Sequence, residues 1–127
     1  MKGSHMNKLK ILIAEDDIIS QRLLTEMVKI FSRKVVIVAD GWEAVETCRN
    51  QPEIDLVLMD IKMPEMDGYE ATRQIRQFNK KVVIIAQTAY TRVSDKINAL
   101  VSGCNDYISK PIDKALLSAL INKHFKK

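Results

Sequence analysis

Short runs of apolar residues alternate along the chain with longer stretches in which apolar positions recur at helical spacing. The runs are rich in β-branched residues, which favours buried parallel strands, and the stretches between them predict helices. This alternation predicts an α/β fold of five strand–helix units, with one parallel sheet between two helical layers. The predicted strands lie near residues 9–14, 34–38, 55–60, 82–87 and 106–109.

Three of the intervening stretches show a distinct apolar helical face, which we expect to pack against the sheet. These faces comprise Leu23, Leu24, Met27, Val28 and Phe31 after the first strand, Val93, Ile97, Leu100 and Val101 after the fourth, and Leu116, Leu117, Leu120, Ile121 and Phe125 after the fifth. Asp67 and Asp113 stand where they would cap the helices that follow them.

Residues capable of chemistry follow four of the predicted strands. They are Glu15 and Asp16 after the first strand, Asp60 at the end of the third, Thr88 and Ala89 after the fourth, and Lys110 after the fifth. In an open α/β sheet, ligands bind outside the carboxyl ends of the strands. If these strands are parallel and adjacent, we expect carboxylates, a hydroxyl and an ammonium to meet in one cleft.

Converging carboxylates need a counter-charge, because like charges about 4 Å apart repel by roughly 4 kcal/mol at an effective dielectric constant of about 20. Oxygen ligands without His or Cys favour Mg²⁺ or Mn²⁺ over Zn²⁺, and Mg²⁺ commonly shares a substrate phosphate. We therefore expect Asp60 to take up a phosphoryl group as an acyl phosphate. Lys110, the Thr88 hydroxyl and the Ala89 amide would contact its oxygens.

Each of these residues, taken alone, also has a structural interpretation. Glu15 or Asp16 could cap a helix, Asp60 could begin a turn, and Lys110 could be solvated. Thr88 at the end of a strand is commonly structural. The joint pattern favours function, because four separate strands end in groups that one reaction requires.

Composition limits the domain count and the partners. The chain has 127 residues, 46% of them apolar and 28% charged, which suits one domain with one core. Residues 1–6 resemble a cleavage remnant of recombinant expression, which leaves 7–127 as the predicted domain. Without Lys2 the formal net charge falls from +4 to +3 and is not gathered into a basic run, so nucleic-acid binding is not expected.

Cysteine usage and hydropathy indicate the cellular setting. Cys48 and Cys104 lack metal-ligand spacing, which is typical of a reduced, cytoplasmic environment. No apolar stretch reaches the roughly 20 residues of a membrane span, so we expect no direct membrane contact by this domain. A parent protein could still be membrane-anchored.

The order and spacing of the motifs resemble the receiver domain of two-component response regulators over essentially the whole native chain. The resemblance rests on Glu15-Asp16, the segment 59–68 around Asp60, Thr88-Ala89, and Tyr107 with Lys110-Pro111. It implies a flavodoxin-like (βα)5 fold with a parallel sheet of order 2-1-3-4-5. It also implies that Asp60 accepts a phosphoryl group from a phosphohistidine in a phosphorelay.

The resemblance implies a metal site and a self-assisted reaction. Asp16, Asp60 and the Lys62 backbone carbonyl would bind Mg²⁺ directly, and Glu15 would act through a water. The domain would assist its own phosphotransfer and dephosphorylation without being an enzyme in the usual sense. Lys62 and Tyr90 would flank the path of the hydrolytic water, where the bulk of Tyr90 is expected to slow dephosphorylation.

The resemblance further implies a two-state surface. Phosphorylation adds about 1.5 to 2 negative charges at Asp60. Thr88 would move toward the new oxygens and Tyr107 would swing inward. These movements would repack the face formed by the fourth helix, the fifth strand and the fifth helix, where an output partner would bind.

A phosphodonor partner follows from the same resemblance. Neither His5 nor His124 lies in a donor-like context, so the donor would be a histidine kinase or a histidine phosphotransfer domain. Its contact surface would lie on the first helix, around Ile18, Ile19, Arg22 and Leu23. A monomer and a weak dimer are both compatible with the sequence.

The native context and two rival functions remain open at this point. Segments 59–76 and 86–90 resemble receiver domains of hybrid sensor histidine kinases, with a stand-alone regulator as the alternative. Haloacid-dehalogenase-like phosphatases place a second Asp two residues after the nucleophile, where this chain has Lys62. A receiver retained only for docking usually lacks an acidic, acceptor or Lys residue, and none of these is missing.

Overall fold

The computed structural model describes residues 8–89 and 92–125. The strands are β1 (Leu9–Ala14), β2 (Ser32–Val38), β3 (Leu56–Asp60), β4 (Val83–Thr88) and β5 (Asp106–Ser109). The helices are α1 (Ile18–Val28), α2 (Gly41–Asn50), α3 (Gly68–Phe78), α4 (Val93–Ser102) and α5 (Lys114–Phe125), with a 3-10 helix at Lys29–Phe31. The predicted expression remnant and Tyr90 lie outside the described residues.

The five strands form one parallel sheet in the order β2-β1-β3-β4-β5, which confirms the predicted fold. Every residue of β1 and β3 is buried, as expected for strands covered on both faces. The sheet separates two apolar clusters. Leu12, Val57 and Ile84 face α2, α3 and α4, whereas Ile13 and Leu58 face α1 and α5.

The apolar face predicted for α4 is not buried. Val93, Ile97, Leu100 and Val101 are between 53% and 78% exposed, and α4 buries Ala99 and Ser102 instead. The small side chains of the buried pair allow α4 to approach α3. Hydrophobic periodicity identified a face of this helix but not the side that contacts the rest of the fold.

On two other helices, one residue of the predicted apolar face is exposed rather than buried. Leu23 of α1 is 54% exposed and Leu116 of α5 is 49% exposed, while the rest of each face is at least partly buried. Phe31 is buried, but it belongs to the 3-10 helix after α1. No helix among residues 8–89 and 92–125 is long and apolar enough to cross a membrane.

Two of the carboxylates near the strand ends cap helices. Asp67 caps α3 as predicted, accepting a hydrogen bond from the Glu70 amide at 2.9 Å. Asp17 caps α1 through the Ser20 amide at 2.8 Å, so neither Glu15 nor Asp16 serves as that cap. Asp113 directly precedes α5, and its capping role stays a prediction.

Candidate functional site

The predicted carboxylates converge at the carboxyl edge of the sheet. Glu15 and Asp16 follow β1, and Asp60 ends β3, the strand beside it. One oxygen of each carboxylate lies within 4.8 Å of the others. Glu15 and Asp60 are 1% and 3% exposed, whereas Asp16 is exposed at the mouth of the site.

Lys110 connects the two buried carboxylates. It follows β5, two strands away from β3, and its Nζ lies 3.1 Å from Oδ1 of Asp60 and 3.2 Å from Oε1 of Glu15. Its side chain remains 30% exposed. The ammonium therefore reaches the acidic residues from the opposite side of the cleft while staying accessible to a ligand.

The pKa shifts follow from this arrangement. Burial raises the pKa of the Glu15 carboxyl, and the charge of Asp60 acts in the same direction, against the Asp17 amide and Lys110. Burial disfavours the charged form of Lys110, but Asp60 and Glu15 outweigh it and raise its pKa. Lys110 is therefore held as an ammonium, and added positive charge would favour the ionised form of Glu15.

The charge balance suits a divalent cation. Three carboxylates face one ammonium, so two negative charges remain when all four groups are ionised. A doubly charged cation offsets that excess. The donor atoms are carboxylate oxygens, the type that Mg²⁺ and Mn²⁺ prefer.

The loop after Asp60 is held close to the acceptor strand. A Cβ atom at Gly68 would lie 2.3 Å from the Asp60 carbonyl oxygen, and one at Gly41 would lie 2.2 Å from the Met66 carbonyl oxygen. The Gly68 amide donates to the Ile61 carbonyl at 2.9 Å. These contacts place the first turn of α3 directly against the end of β3.

All but one of the predicted site residues line one cleft of about 620 Å³. The cleft contains Glu15, Asp16, Asp60, Lys62, Thr88, Ala89 and Lys110. The Lys62 amide lies 3.4 Å from Oδ1 of Asp60. Tyr107 is not part of this lining. It is half-buried and packs against the core on the α4 side, with Nζ of Lys96 5.5 Å from its ring centre.

The cleft also includes residues that the strand-end pattern did not identify. The Tyr69 hydroxyl donates to the Asp95 carbonyl at 3.4 Å, and Arg92 Nε lies 3.2 Å from Asp95 Oδ2. All three belong to the first turns or caps of α3 and α4 rather than to strand ends. The spacing of Arg92 and Asp95, three apart, was the available sequence signal for the ion pair.

Gln87 was also missed, although it interrupts an apolar run. It pairs in register with Asp60 and is 1% exposed. Neither its amide nitrogen nor its amide oxygen has a hydrogen-bond partner among the described residues. A buried polar group without a partner costs about 1 to 3 kcal/mol.

These features define a class: a parallel α/β domain with an acidic, lysine-bridged cleft at the carboxyl ends of its strands. The family model of the response regulator receiver domain matches residues 11–122. The chain therefore belongs to the receiver domains of two-component signalling.

Curated relatives place similar sequences in several kinds of protein. The chain is 38% identical to the transcription factor SKN7 of Candida albicans, over 92% of this chain and 21% of the relative. It is 37% identical to hybrid signal transduction histidine kinase B of Dictyostelium discoideum, over 91% of this chain and 6% of the relative. The chain thus spans a quarter or less of the length of these relatives.

Solved structures give the same family. The receiver domain of Saccharomyces cerevisiae Ssk1, crystallised with the histidine phosphotransfer protein Ypd1, has a TM-score of 0.86 and 34% identity, covering 94% of this chain and 90% of that one. The receiver domain of the Pseudomonas aeruginosa sensor histidine kinase PA1611 has a TM-score of 0.83 and 37% identity, covering 92% and 97%. That structure contains a magnesium ion in its active site cleft.

Proposed function

We propose that Asp60 is the phosphoacceptor of a phosphorelay, receiving the phosphoryl group of a phosphohistidine on a histidine kinase or a histidine phosphotransfer domain. The observation that carries this proposal is the buried Asp60 carboxylate, 3.1 Å from Lys110 and clustered with Glu15 and Asp16. The similarity to the Ssk1 receiver, which binds a histidine phosphotransfer protein, supports the kind of donor.

The chain's own residues account for the transfer. An Asp60 oxygen forms a bond to phosphorus while the phosphorus–nitrogen bond of the donor breaks, and the electron pair leaves with the imidazole. Lys110 neutralises charge that is spread over the phosphoryl oxygens. The Thr88 hydroxyl and the Ala89 amide, which line the same cleft, supply hydrogen bonds to those oxygens.

Mg²⁺ is the metal we assign to the acidic cluster, and Mn²⁺ would suit the same oxygen donors. Asp16, Asp60 and the Lys62 carbonyl would bind it directly, and Glu15 would act through a water. Bound there, the ion would neutralise the carboxylates and the incoming phosphate. The charge balance of the cluster and the magnesium ion of the similar PA1611 receiver support this assignment.

The position of His124 supports a donor outside this domain. Its Nε2 lies 3.1 Å from Oδ2 of Asp106, the first residue of β5. Register pairing places Asp106 beside Ile85, whereas Asp60 pairs with Gln87, two residues nearer the carboxyl edge of the sheet. His124 does not line the acceptor cleft, and its ring nitrogen is held by Asp106.

The acceptor assignment is tested by intact-protein mass after incubation with acetyl phosphate and Mg²⁺. We expect the mass of one phosphoryl group on the wild type, dependent on Mg²⁺ and absent from Asp60→Asn. Asp67→Asn is the matched control, because Asp67 lines the same cleft but caps α3. An undiminished adduct on Asp60→Asn, or its loss from Asp67→Asn alone, would contradict the assignment.

We further propose that phosphorylation switches the face formed by α4, β5 and α5, where an output partner would bind. Thr88 lies at the acceptor cleft, and Tyr107 lies in β5 with Nζ of Lys96, in α4, 5.5 Å from its ring centre. Beryllofluoride with Mg²⁺ should shift the NMR signals of residues 93–125 in the wild type. The shifts should be confined to the cleft in Thr88→Ala. Wild-type shifts confined to the acidic cleft would contradict the switch.

We infer that the domain also assists its own dephosphorylation, with Lys62 and Tyr90 beside the path of the hydrolytic water. Lys62 is exposed at the cleft, which supports its part in this proposal. Replacing Tyr90 with Ala should shorten the lifetime of the phosphorylated protein. The decay of the mass adduct after removal of acetyl phosphate measures that lifetime.

For the native context we propose a hybrid sensor histidine kinase, with a stand-alone response regulator as the alternative. Two hybrid kinases of Dictyostelium discoideum are 37% and 36% identical to this chain, which supports the proposal. Sequencing the native gene on both sides of this segment tests it. A kinase core upstream in the same reading frame is expected, and stop codons flanking the segment would favour the alternative.

A further inference from the structure

A second cleft, of about 390 Å³, lies between α1 and the segment that joins β5 to α5, next to the acidic cleft. Its size falls within the range of small-molecule sites. Its walls are mostly apolar, formed by Leu24 and Met27 of α1 and by Pro111 and Ile112 before α5. Four polar side chains also line it: Glu15, Ser20, Gln87 and Lys110.

The direction of the Gln87 side chain follows from the alternation along β4. Ile84 and Ala86 belong to the cluster on the α2, α3 and α4 side, whereas Ile85 belongs to the cluster on the α1 and α5 side. Side chains two apart in a strand share a face. Gln87 therefore points to the same side as Ile85, where it lines the second cleft.

The Gln87 carboxamide is the unexplained group of this cleft. It is 1% exposed, and neither its donor nor its acceptor atom finds a partner in the described part of the chain. A leucine of similar size would fill the same position without leaving polar atoms unsatisfied. A carboxamide buried beside an apolar cleft is the arrangement that fixes the orientation of a mostly apolar ligand.

We propose that this cleft is a binding site for a small, uncharged, largely apolar molecule that presents one amide edge, an N–H beside a C=O, to Gln87. The Gln87 carboxamide offers the complementary donor and acceptor, so two hydrogen bonds form side by side. An uncharged ligand is favoured because the walls are mostly apolar and the two charged residues of the lining, Glu15 and Lys110, already pair with each other. The proposed site goes beyond the phosphoacceptor function and adjoins the acceptor cleft.

Binding requires a local rearrangement, since both amide atoms are covered in this structure. A rotamer change of Gln87 or of the unbranched Met27 side chain would expose them. Glu15, Ser20, Gln87 and Lys110 line both clefts, so a bound molecule would lie against the ion pair of the acidic site. A molecule bound in the second cleft would therefore contact Lys110, the lysine that pairs with Asp60.

The test is a titration of the full chain with ε-caprolactam, followed by ¹H–¹⁵N NMR at the Gln87 side-chain amide and the backbone amides of Leu24 and Ile112. This lactam carries the N–H and C=O on one edge of an apolar ring. We expect saturable binding with a dissociation constant on the order of millimolar for so small a probe. N-methylcaprolactam, which lacks the N–H, should bind wild type about tenfold more weakly.

Gln87→Leu should weaken caprolactam binding about tenfold while leaving N-methylcaprolactam nearly unchanged. Gln77→Leu, on an exposed position of α3, should change neither probe's affinity. Equal binding of the two probes to the wild type would overturn the proposal without reliance on any variant. Absence of saturable shifts would also overturn it, and would leave ordered water as the partner of the carboxamide.

Discussion

Helices α3 and α4 are neighbours of almost equal length, 11 and 10 residues, yet they are held in different ways. Helix α3 begins at a side-chain cap, buries Ile75 completely and carries Arg76 in its last turn, where the guanidinium donates to four oxygens around it. Helix α4 has no side-chain capping bond from Arg92 among the described residues and exposes its large apolar side chains.

The difference makes α3 the more firmly attached of the two helices. The attachments of α4 concentrate at its C-terminal end, where Arg76 binds the Gly103 carbonyl at 2.9 Å and Gly103 ends the helix at φ 113°. Its first turn lies at the acceptor cleft, where the Tyr69 hydroxyl of α3 donates to the Asp95 carbonyl at 3.4 Å. A helix anchored at one end suits a phosphorylation-dependent change at the other.

The largest expected difference in stability is between alanine variants of one isoleucine in each helix, Ile75 in α3 and Ile97 in α4. Ile75→Ala should lower the free energy of unfolding by about 2 to 5 kcal/mol, because it leaves a cavity in the core. Ile97→Ala should cost less than about 1 kcal/mol, since Ile97 is 53% exposed. Urea denaturation measures both. Equal losses would mean that α4 is as firmly packed as α3.

Arg76 provides the next contrast. Arg76→Ala removes hydrogen bonds to the carbonyls of Gly103 and Val82 and to Asn105 Oδ1, and should cost about 2 to 3 kcal/mol. Arg73→Ala, on the same helix, removes an exposed pair with Glu70 and a 3.4 Å hydrogen bond to Ser102 Oγ, and should cost less than about 1 kcal/mol. Thermal unfolding of both variants checks this order. A loss from Arg73→Ala as large as that from Arg76→Ala would count against the anchoring role.

The smallest contrast is at the helix starts. Asp67→Ala removes the cap of α3 and should lower stability by about 1 kcal/mol. Arg92→Ala, at the corresponding position of α4, should change stability by less than about 0.5 kcal/mol because no capping bond is lost there. Denaturant midpoints resolve this difference. A cost at Arg92 that matches the cost at Asp67 would show that α4 is held at its first turn after all.

Much of the acidic cleft was predictable because a parallel sheet brings the carboxyl ends of its strands to one edge. Glu15, Asp60 and Lys110 needed only the strand boundaries and the alternation of strands and helices. Asp17 was not identified as the cap of α1, since three consecutive acidic residues offer the same side-chain chemistry to the helix start. Only geometry separates the cap from its neighbours.

The α4 region was less predictable, because periodicity does not say which side of a helix meets the fold. Ala99 and Ser102, the residues that α4 buries, carry little hydrophobic signal. The stronger signal came from Val93 and Leu100, which face outward. Gln87 was missed for a different reason. It belongs to a strand that the apolar run predicts to be buried, and the sequence does not show whether its carboxamide has hydrogen-bond partners there.

The closing contact between Gly68 and the Asp60 carbonyl has a consequence for how this domain tolerates change. The loop between them can vary its composition at the exposed Pro64, whereas Glu65 has a φ of 68°, which favours glycine or asparagine there. It cannot easily vary its length, since an insertion would separate Gly68 from the main chain that it touches. The position of Asp60 thus depends on Gly68, eight residues further along the chain, whose side chain is a single hydrogen atom.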